Sequence, residues 1–181
     1  SDKVLGENGR AHVLDVDMLN ETPPLGVTIS KPQTIGGMKV YWVGFDRDML
    51  TLRAWMDKAF ALAANCPVSE TAYSVGAIGL DADGQQIAKG WSRASGPKNH
   101  AEEELLKNLP KGTKLHTVIC TLEPCNKRSS KKTGCAERLI KAGVKRVIIG
   151  VREPDHFVEQ DGVSALQDAG VEVIRLPGYE P

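Results

Sequence analysis

One histidine, one glutamate and two cysteines follow one another in an order that suits metal-assisted hydrolysis. His100 and Glu102 form an HxE pair, Cys125 ends the segment TLEPC, and nine residues lie between Cys125 and Cys135. Imidazole and thiolate groups are ligands that zinc prefers. A site with three protein ligands keeps its fourth position for water, as catalytic zinc sites do. The pattern therefore predicts that His100, Cys125 and Cys135 bind Zn²⁺.

Glu102 is predicted to be the general acid and base of this site. A zinc-bound water has its pKa lowered toward about 7, and Glu102 could carry protons to and from it. Glu102 is too close to His100 in the sequence to be a comfortable second ligand. The simpler interpretation is a helix cap, in which the Asn99 side chain caps the helix and the Glu102 side chain bonds back to the Asn99 backbone amide. In that interpretation His100 has no role of its own.

The surrounding sequence predicts elements that would bring these residues together. Strand and helix patterns alternate from about residue 115 onward, which indicates parallel strands joined by crossover helices, and an earlier hairpin turns at DADG. Ligands in such folds lie beyond the carboxyl ends of the strands, at the starts of the helices. We predict an α/β fold, a three-layer α/β/α sandwich with a mixed sheet of about five strands. The predicted helices begin near residues 46, 99, 133 and 162, and the predicted strands span 74–80, 86–91, 115–121, 146–151 and 171–175.

Composition restricts the class of protein. The chain has 181 residues, 41% of them hydrophobic, and 23 basic residues balance 23 acidic ones. The balanced charge argues against a nucleic-acid partner, and no apolar run approaches the length of a membrane span. The polar start lacks the apolar stretch of a signal peptide, so we expect a reducing, cytoplasmic setting in which clustered cysteines bind metal. Residues 1–45, rich in Pro and Gly, are predicted to be a loop-rich extension with one or two short strands, and residues 46–181 the zinc-dependent domain.

These motifs resemble those of a known family. HAE followed by PC is similar to the zinc-deaminase signature, although the usual spacing between the cysteines is two residues. The sequence resembles the riboflavin-pathway pyrimidine deaminases, which have a cytidine-deaminase-like fold. The resemblance lies in the wider gap, in TLEPC before it and in CAERLIKAGVKRVIIGVREPD after it. The ending REPDHFVEQDGVSALQDAGVEVIRLPG is most similar to the fungal diamino-ribitylamino-pyrimidinone phosphate (DRAP) deaminases. The resemblance covers roughly residues 48–178.

The resemblance implies a reaction and further site residues. Members are zinc hydrolases that remove the 2-amino group of a ribityl- or ribosylaminopyrimidinone phosphate and release ammonia, and the fungal branch is expected to use the ribitylamino form. Tyr73 replaces part of a bacterial Asn-Pro pair and becomes a candidate neighbour of the pyrimidine ring. By the same resemblance Glu123 would face the pocket and the protein would be a homodimer. We expect no counterpart of the bacterial reductase domain in these residues.

Other candidates for substrate contacts come from position and charge. Lys127, Arg128 and Lys131 lie in a basic segment between two proposed ligands and could contact the substrate phosphate. Asp155 and His156, after a buried strand, could contact the ribityl hydroxyls. Asn99 could bond the pyrimidine, although the helix cap is the simpler role.

Two alternative functions stay open on the sequence alone. The same chemistry could act on a free base, a nucleoside or a tRNA adenosine. The wide cysteine gap and the REPD segment argue against this alternative, and the neutral net charge argues against tRNA. A structural zinc module would instead use Cys120 as a fourth ligand and act by binding.

Overall fold

The computed structural model describes residues 3–5, 11–13, 27–29, 31, 33–40, 43–45, 47–126, 133–151 and 162–179. The chain divides into two compact units, residues 1–52 and 53–181. The first unit holds more short strands than the one or two that we expected. Three antiparallel pairs join β1 with β2, β3 with β6, and β4 with β5. The strands are β1 (Lys3–Leu5), β2 (Ala11–Val13), β3 (Val27–Ile29), β4 (Gln33–Ile35), β5 (Met38–Val40) and β6 (Val43–Phe45).

The second unit contains a mixed five-stranded sheet, as predicted. The strand order is β11-β10-β9-β7-β8; β9, β10 and β11 are parallel, and β7 runs antiparallel to both of its neighbours. Helix α1 (Arg47–Ala63) begins in the first unit and continues into the second. The other elements are β7 (Gly76–Leu80), β8 (Gln86–Trp91), α2 (Ala101–Lys107), β9 (Thr117–Leu122), α3 (Cys135–Lys141), β10 (Arg146–Val151), α4 (Gly162–Asp168) and β11 (Glu172–Arg175).

Helices cover both faces of this sheet, so the predicted three layers are present. One face forms a core with α2, α3 and α4, to which each of the three central strands contributes alternate residues. The members of that core include Ala77, Val118, Cys120, Val147 and Ile149 from the strands, and Leu105, Leu139 and Leu166 from the helices. The opposite face lies against α1, since a Cβ atom at Gly76 would overlap the Ala59 carbonyl and one at Gly150 would contact Met56.

Close helix-to-sheet packing fixes where α2 begins. At Gly90 in β8, a Cβ atom would overlap the backbone of Ala101 and Leu105. Glycine therefore lets α2 approach the sheet more closely than any other residue would allow. Because β8 leads into the loop before α2, this contact places the first turn of α2 near the sheet edge where β9 ends.

Candidate active site

The three predicted ligands lie at one edge of the sheet. The pairing of β7 with β9 sets the start of β7 beside the end of β9, where the Gly76 amide donates to Oγ1 of Thr121. Cys125 follows the end of β9, Cys135 opens α3, and His100 directly precedes α2. Two of the ligands thus lie at helix N-termini, and the third lies just beyond the carboxyl end of a parallel strand, as expected for an α/β fold.

The distances between the three side chains fit a tetrahedral zinc site. Nδ1 of His100 lies 3.6 Å from Sγ of Cys125 and 3.4 Å from Sγ of Cys135. Bonds of about 2.3 Å to sulfur and about 2.0 Å to nitrogen at a tetrahedral angle give a nitrogen–sulfur separation of about 3.5 Å. All three donor atoms lie within 4.8 Å of one another. The donor set is therefore compatible with zinc, and Cys120 is not a member of it.

The start of α3 favours a thiolate at Cys125. The amide of Cys135 donates to Sγ of Cys125 at 3.5 Å, and the amide of Ala136 donates to the Cys125 carbonyl at 3.0 Å. Hydrogen bonds from Cys135, and to a smaller extent from His100, lower the pKa of Cys125 well below its usual value. The pKa of Cys135 is raised because its thiol proton is shared with Cys125. A metal ion would displace that proton, since both ligands must be thiolates to bind.

Gly134 allows the backbone just before Cys135 to lie directly against the backbone of Cys125 and Asn126. A Cβ atom at this position would overlap the carbonyl oxygen of Asn126 and would lie 2.8 Å from that of Cys125. Gly134 is also the N-cap of α3, and its carbonyl accepts from the Arg138 amide. A larger residue would push the start of α3 away from Cys125.

Glu102 is a buried carboxyl group beside the ligands. The residue is only 3% exposed, and its carboxyl group interacts electrostatically with Cys125 and His100. Burial, and to a smaller extent the negative charge of Cys125, raise the pKa of Glu102 to about 7. A carboxyl group with a pKa near neutrality can both accept and release a proton at physiological pH.

The helix cap is one residue later than the sequence suggested. His100 is the N-cap of α2, and its backbone amide donates to Oε2 of Glu103 at 3.0 Å. The alternative interpretation, in which Asn99 caps the helix and Glu102 bonds back to it, was therefore wrong. With the cap at His100, Glu103 and not Glu102 is the reciprocal carboxylate of the cap.

Asn99 instead belongs to a network around Glu104. The carboxylate of Glu104, 2% exposed, accepts from the Ser95 amide at 3.0 Å, the Ser95 hydroxyl at 2.7 Å and the Asn99 side-chain amide at 2.8 Å. Burial acts to raise the pKa of Glu104, but these hydrogen bonds outweigh it and the pKa is lowered. The network holds the loop that precedes His100. A contact of Asn99 with the pyrimidine stays a prediction.

The Arg93 side chain holds the loop from Pro67 to Ser74 by hydrogen bonds. Its φ of 66° is in the left-handed region, which is uncommon for a residue other than glycine. Its guanidinium donates to the carbonyls of Pro67 and Tyr73 at 2.7 and 2.9 Å and to the Ser74 hydroxyl at 3.2 Å. Tyr73 itself is 64% exposed, and its predicted contact with the substrate ring stays a prediction.

The other predicted substrate contacts divide into two groups. Glu123, 5% exposed, accepts from the Val163 amide at the start of α4 at 3.3 Å, and its role toward substrate stays a prediction. The remaining five predicted residues, Lys127, Arg128, Lys131, Asp155 and His156, lie outside the described residues.

Sequence reasoning missed the tasks of Glu103, Glu104 and Arg93. The run of three glutamates at a helix start was a visible signal for the first two. Arg93 has no local signal, because its contacts are made across the fold.

Comparison with known proteins identifies the family. Residues 49–151 match the profile described as the cytidine and deoxycytidylate deaminase zinc-binding region. The chain belongs to this deaminase family. The fold and the family resemblance that were predicted from the sequence are thereby confirmed. Separately, within the part of the chain that the structure describes, no helix is long and apolar enough to cross a membrane.

Relatives of this deaminase-family chain include riboflavin-pathway proteins. The chain is 36% identical over 126 residues to the diaminohydroxyphosphoribosylamino-pyrimidine deaminase of Schizosaccharomyces pombe, covering 67% of this chain and 31% of the relative. It is 32% identical over 100 residues to the riboflavin biosynthesis protein RibD of Aquifex aeolicus, covering 55% of this chain and 27% of the relative. A solved structure also matches with a TM-score of 0.63 and 31% identity, covering 71% of this chain and 37% of the other. It is the crystal structure of the Thermotoga maritima diaminohydroxyphosphoribosylaminopyrimidine deaminase/5-amino-6-(5-phosphoribosylamino)uracil reductase. The chain thus spans about a third of the length of these relatives.

Proposed function

We propose that this chain is a zinc-dependent hydrolytic deaminase of riboflavin biosynthesis. Its reaction would remove the 2-amino group of a ribitylaminopyrimidinone 5′-phosphate and release ammonia. The observation that carries the proposal is the placement of a buried glutamate, Glu102, against three donor atoms whose separations suit tetrahedral zinc. The family's zinc-binding region and the names of the relatives support the same reaction.

His100, Cys125 and Cys135 would hold the metal, and Glu102 would move the protons. Zinc in such a site supplies a water whose pKa is lowered toward about 7. Glu102 would take one proton from the attacking water and give it to the departing amine. The ring carbon loses its amino group as ammonia and gains the water oxygen, so each turnover consumes one water. The burial that raises the pKa of Glu102 suits it to this two-way transfer.

The substrate phosphate is assigned to the basic segment between the two cysteines. Lys127, Arg128 and Lys131 provide cations between two proposed ligands in the sequence. Neutralising Lys127 and Arg128 together should raise KM for a phosphorylated substrate more than for its dephosphorylated form. Equal effects on the two substrates would remove the phosphate role. Asp155 and His156 are proposed to contact the ribityl hydroxyls, and Glu123, Tyr73 and Asn99 to border the pyrimidine.

Three broader features belong to the proposal. The deaminase domain would extend over residues 46–181, and the protein would act as a homodimer, which sedimentation analysis can test. A cytoplasmic location also belongs to the proposal, because Cys125 and Cys135 would have to stay free of disulfides to bind the metal. Thiols in that state are stable in a reducing compartment.

The test is ammonia release, with zinc content measured on the same sample. The substrates are the ribitylamino and ribosylamino pyrimidinone phosphates, because two relatives carry the phosphoribosyl form in their names. Turnover of the ribitylamino form by protein with about one zinc per chain would support the proposal. The family description also names cytidine and deoxycytidylate, so turnover of a nucleoside or nucleotide alone would replace the substrate and keep the chemistry. Protein that binds no zinc would overturn the proposal.

A further inference from the structure

We propose that the ion pair between Glu103 and Arg138 is a positioning clamp that sets the separation of His100 and Cys135. This inference rests on the proposed function, since it concerns the same zinc site. Neither residue reaches the donor atoms. Their effect would be on where two of the three ligands stand relative to each other, and hence on the affinity and geometry of the metal.

Glu103 connects the backbone of one ligand with the helix of another. Its Oε2 accepts from the backbone amide of His100 at 3.0 Å, and its Oε1 lies 3.4 Å from Nη2 of Arg138. Arg138 stands three residues after Cys135 in α3, so the two lie on the same side of that helix, one turn apart. The path from the His100 amide to α3 therefore runs through a single carboxylate, with one oxygen used at each end.

The pair adds a charged contact to the apolar packing between the two helices. Between α2 and α3 the buried contacts involve apolar side chains such as Ala101, Ala136 and Leu139, all fully buried. Apolar contacts stabilise the packing but are non-directional, and they allow small sliding movements. An ion pair attracts two particular charged groups toward each other, so it favours one height of the start of α2 along α3.

The burial of this pair separates it from an ordinary surface ion pair. The side chain of Glu103 is only 9% exposed and that of Arg138 is 35% exposed. Nε of Arg138 is buried, and among the described residues it has no hydrogen-bond acceptor. The Arg138 side chain is thus partly buried beside Glu103. By contrast, Lys141 and Glu137 on the same helix form a pair with 66% and 48% exposure.

The experiment measures zinc affinity by chelator competition in full-length variants. Arg138→Met should weaken zinc binding by about 10-fold or more, as loss of outer partners of metal ligands commonly does. The matched control is Lys141→Met, which removes the exposed ion pair of the same helix and should leave affinity unchanged. Glu103→Gln should weaken binding similarly, and the Glu103→Gln/Arg138→Met double variant should bind no more weakly than the worse single variant, because both act through one contact.

Two further readouts distinguish positioning from general destabilisation. The visible spectrum of the cobalt-substituted protein should change in Arg138→Met and should return toward wild type in Arg138→Lys, which restores a cation. Zinc should raise the Tm of Arg138→Met by less than it raises the Tm of the wild-type protein. This loss should be larger than the difference in Tm between the two metal-free proteins. If Arg138→Met does not fold, Glu103→Gln carries the same test.

The possible failures are distinguishable. Equal zinc affinity and an unchanged cobalt spectrum in Arg138→Met and Lys141→Met would overturn the clamp, while wild-type zinc binding and turnover would leave the proposed function intact. A folded wild-type protein that binds no zinc would overturn both.

Discussion

Nδ1 of His100 lies 3.4 Å from Sγ of Cys135, and the two residues stand at the starts of two different helices. This contact joins positions 35 residues apart in the sequence. It depends on α2 being drawn close to the sheet at Gly90 and on α3 beginning directly beside Cys125. Helix starts also carry partial positive charge, which favours thiolates and so favours metal binding.

Replacing Glu102 should separate metal binding from turnover. In Glu102→Ala the three donors are unchanged, so zinc content should stay at the wild-type level. Turnover should fall by about 10²- to 10⁴-fold, the usual contribution of a positioned acid–base group. The measurements are ammonia release and zinc content on one preparation, with Glu137→Gln, an exposed glutamate of α3, as the control. Loss of zinc in Glu102→Ala would identify Glu102 as a ligand instead.

The sheet, the helices around it and the convergence of His100, Cys125 and Cys135 follow from sequence pattern. Alternating strands and helices place the ends of parallel strands and the starts of the next helices at one edge. Cys125 and Cys135 flank such a junction, and the structure brings His100 to them. Their role as zinc ligands stays a prediction, which the zinc measurements test.

The tasks of the three consecutive glutamates could not be predicted, because they depend on where α2 begins. Each residue in a helix is rotated by about 100° from the previous one. A shift of the cap from Asn99 to His100 therefore redirects every side chain of the first turn. With the cap at His100, Glu102 faces the ligands, Glu103 faces α3 and Glu104 faces the loop containing Ser95. The close packing of α2 on β8 at Gly90 helps to fix that phase.

Two glycines at opposite ends of α3 should respond differently to alanine. Gly134→Ala would place a methyl group against the Asn126 carbonyl, moving Cys135 relative to Cys125. Zinc affinity should therefore fall by about 10-fold or more, as for other disturbances around metal ligands. Gly143→Ala has open space but a φ of +77°, so it should lose about 1 kcal/mol of stability through backbone strain and keep its zinc affinity. Equal zinc affinities in the two variants would show that the approach at Gly134 is not needed by the site.

Glu104 should make stability depend on pH in the acid range. Its pKa in the fold is lowered from 4.5, so the ionised form stabilises the folded state. That contribution is complete above the unfolded pKa and is lost as pH falls through the folded pKa. Glu104→Gln should therefore reduce the free energy of unfolding by about 1.5–3 kcal/mol at neutral pH, the range for charged hydrogen bonds. The difference from wild type should shrink progressively below pH 4.5.

Denaturant unfolding of the metal-free proteins across pH tests this, because chelation removes the separate effect of protons on the ligands. Glu137→Gln again serves as the control, since its exposed partner is Lys141 and little loss is expected. A difference between wild type and Glu104→Gln that does not vary with pH would mean that the charge of Glu104 contributes nothing to stability.

Cys120→Ser should discriminate a catalytic zinc site from a structural one. Cys120 is fully buried in β9, opposite Ala77 on one neighbouring strand and Ile149 on the other. Its sulfur is not among the grouped donors. The variant should therefore keep about one zinc per chain, as a three-ligand site does. It should still lose about 1–3 kcal/mol of stability, because the serine hydroxyl replaces a thiol in an apolar core.

The informative comparison is with Cys125→Ser, which removes one of the three grouped donors. Zinc content should fall sharply in Cys125→Ser and stay near wild type in Cys120→Ser, even though the second variant is the less stable of the two before metal is added. Loss of zinc from Cys120→Ser with retention of the fold would assign four ligands to the metal. A four-ligand site leaves no position for the water that deamination consumes, so that result would favour the structural zinc module over the enzyme.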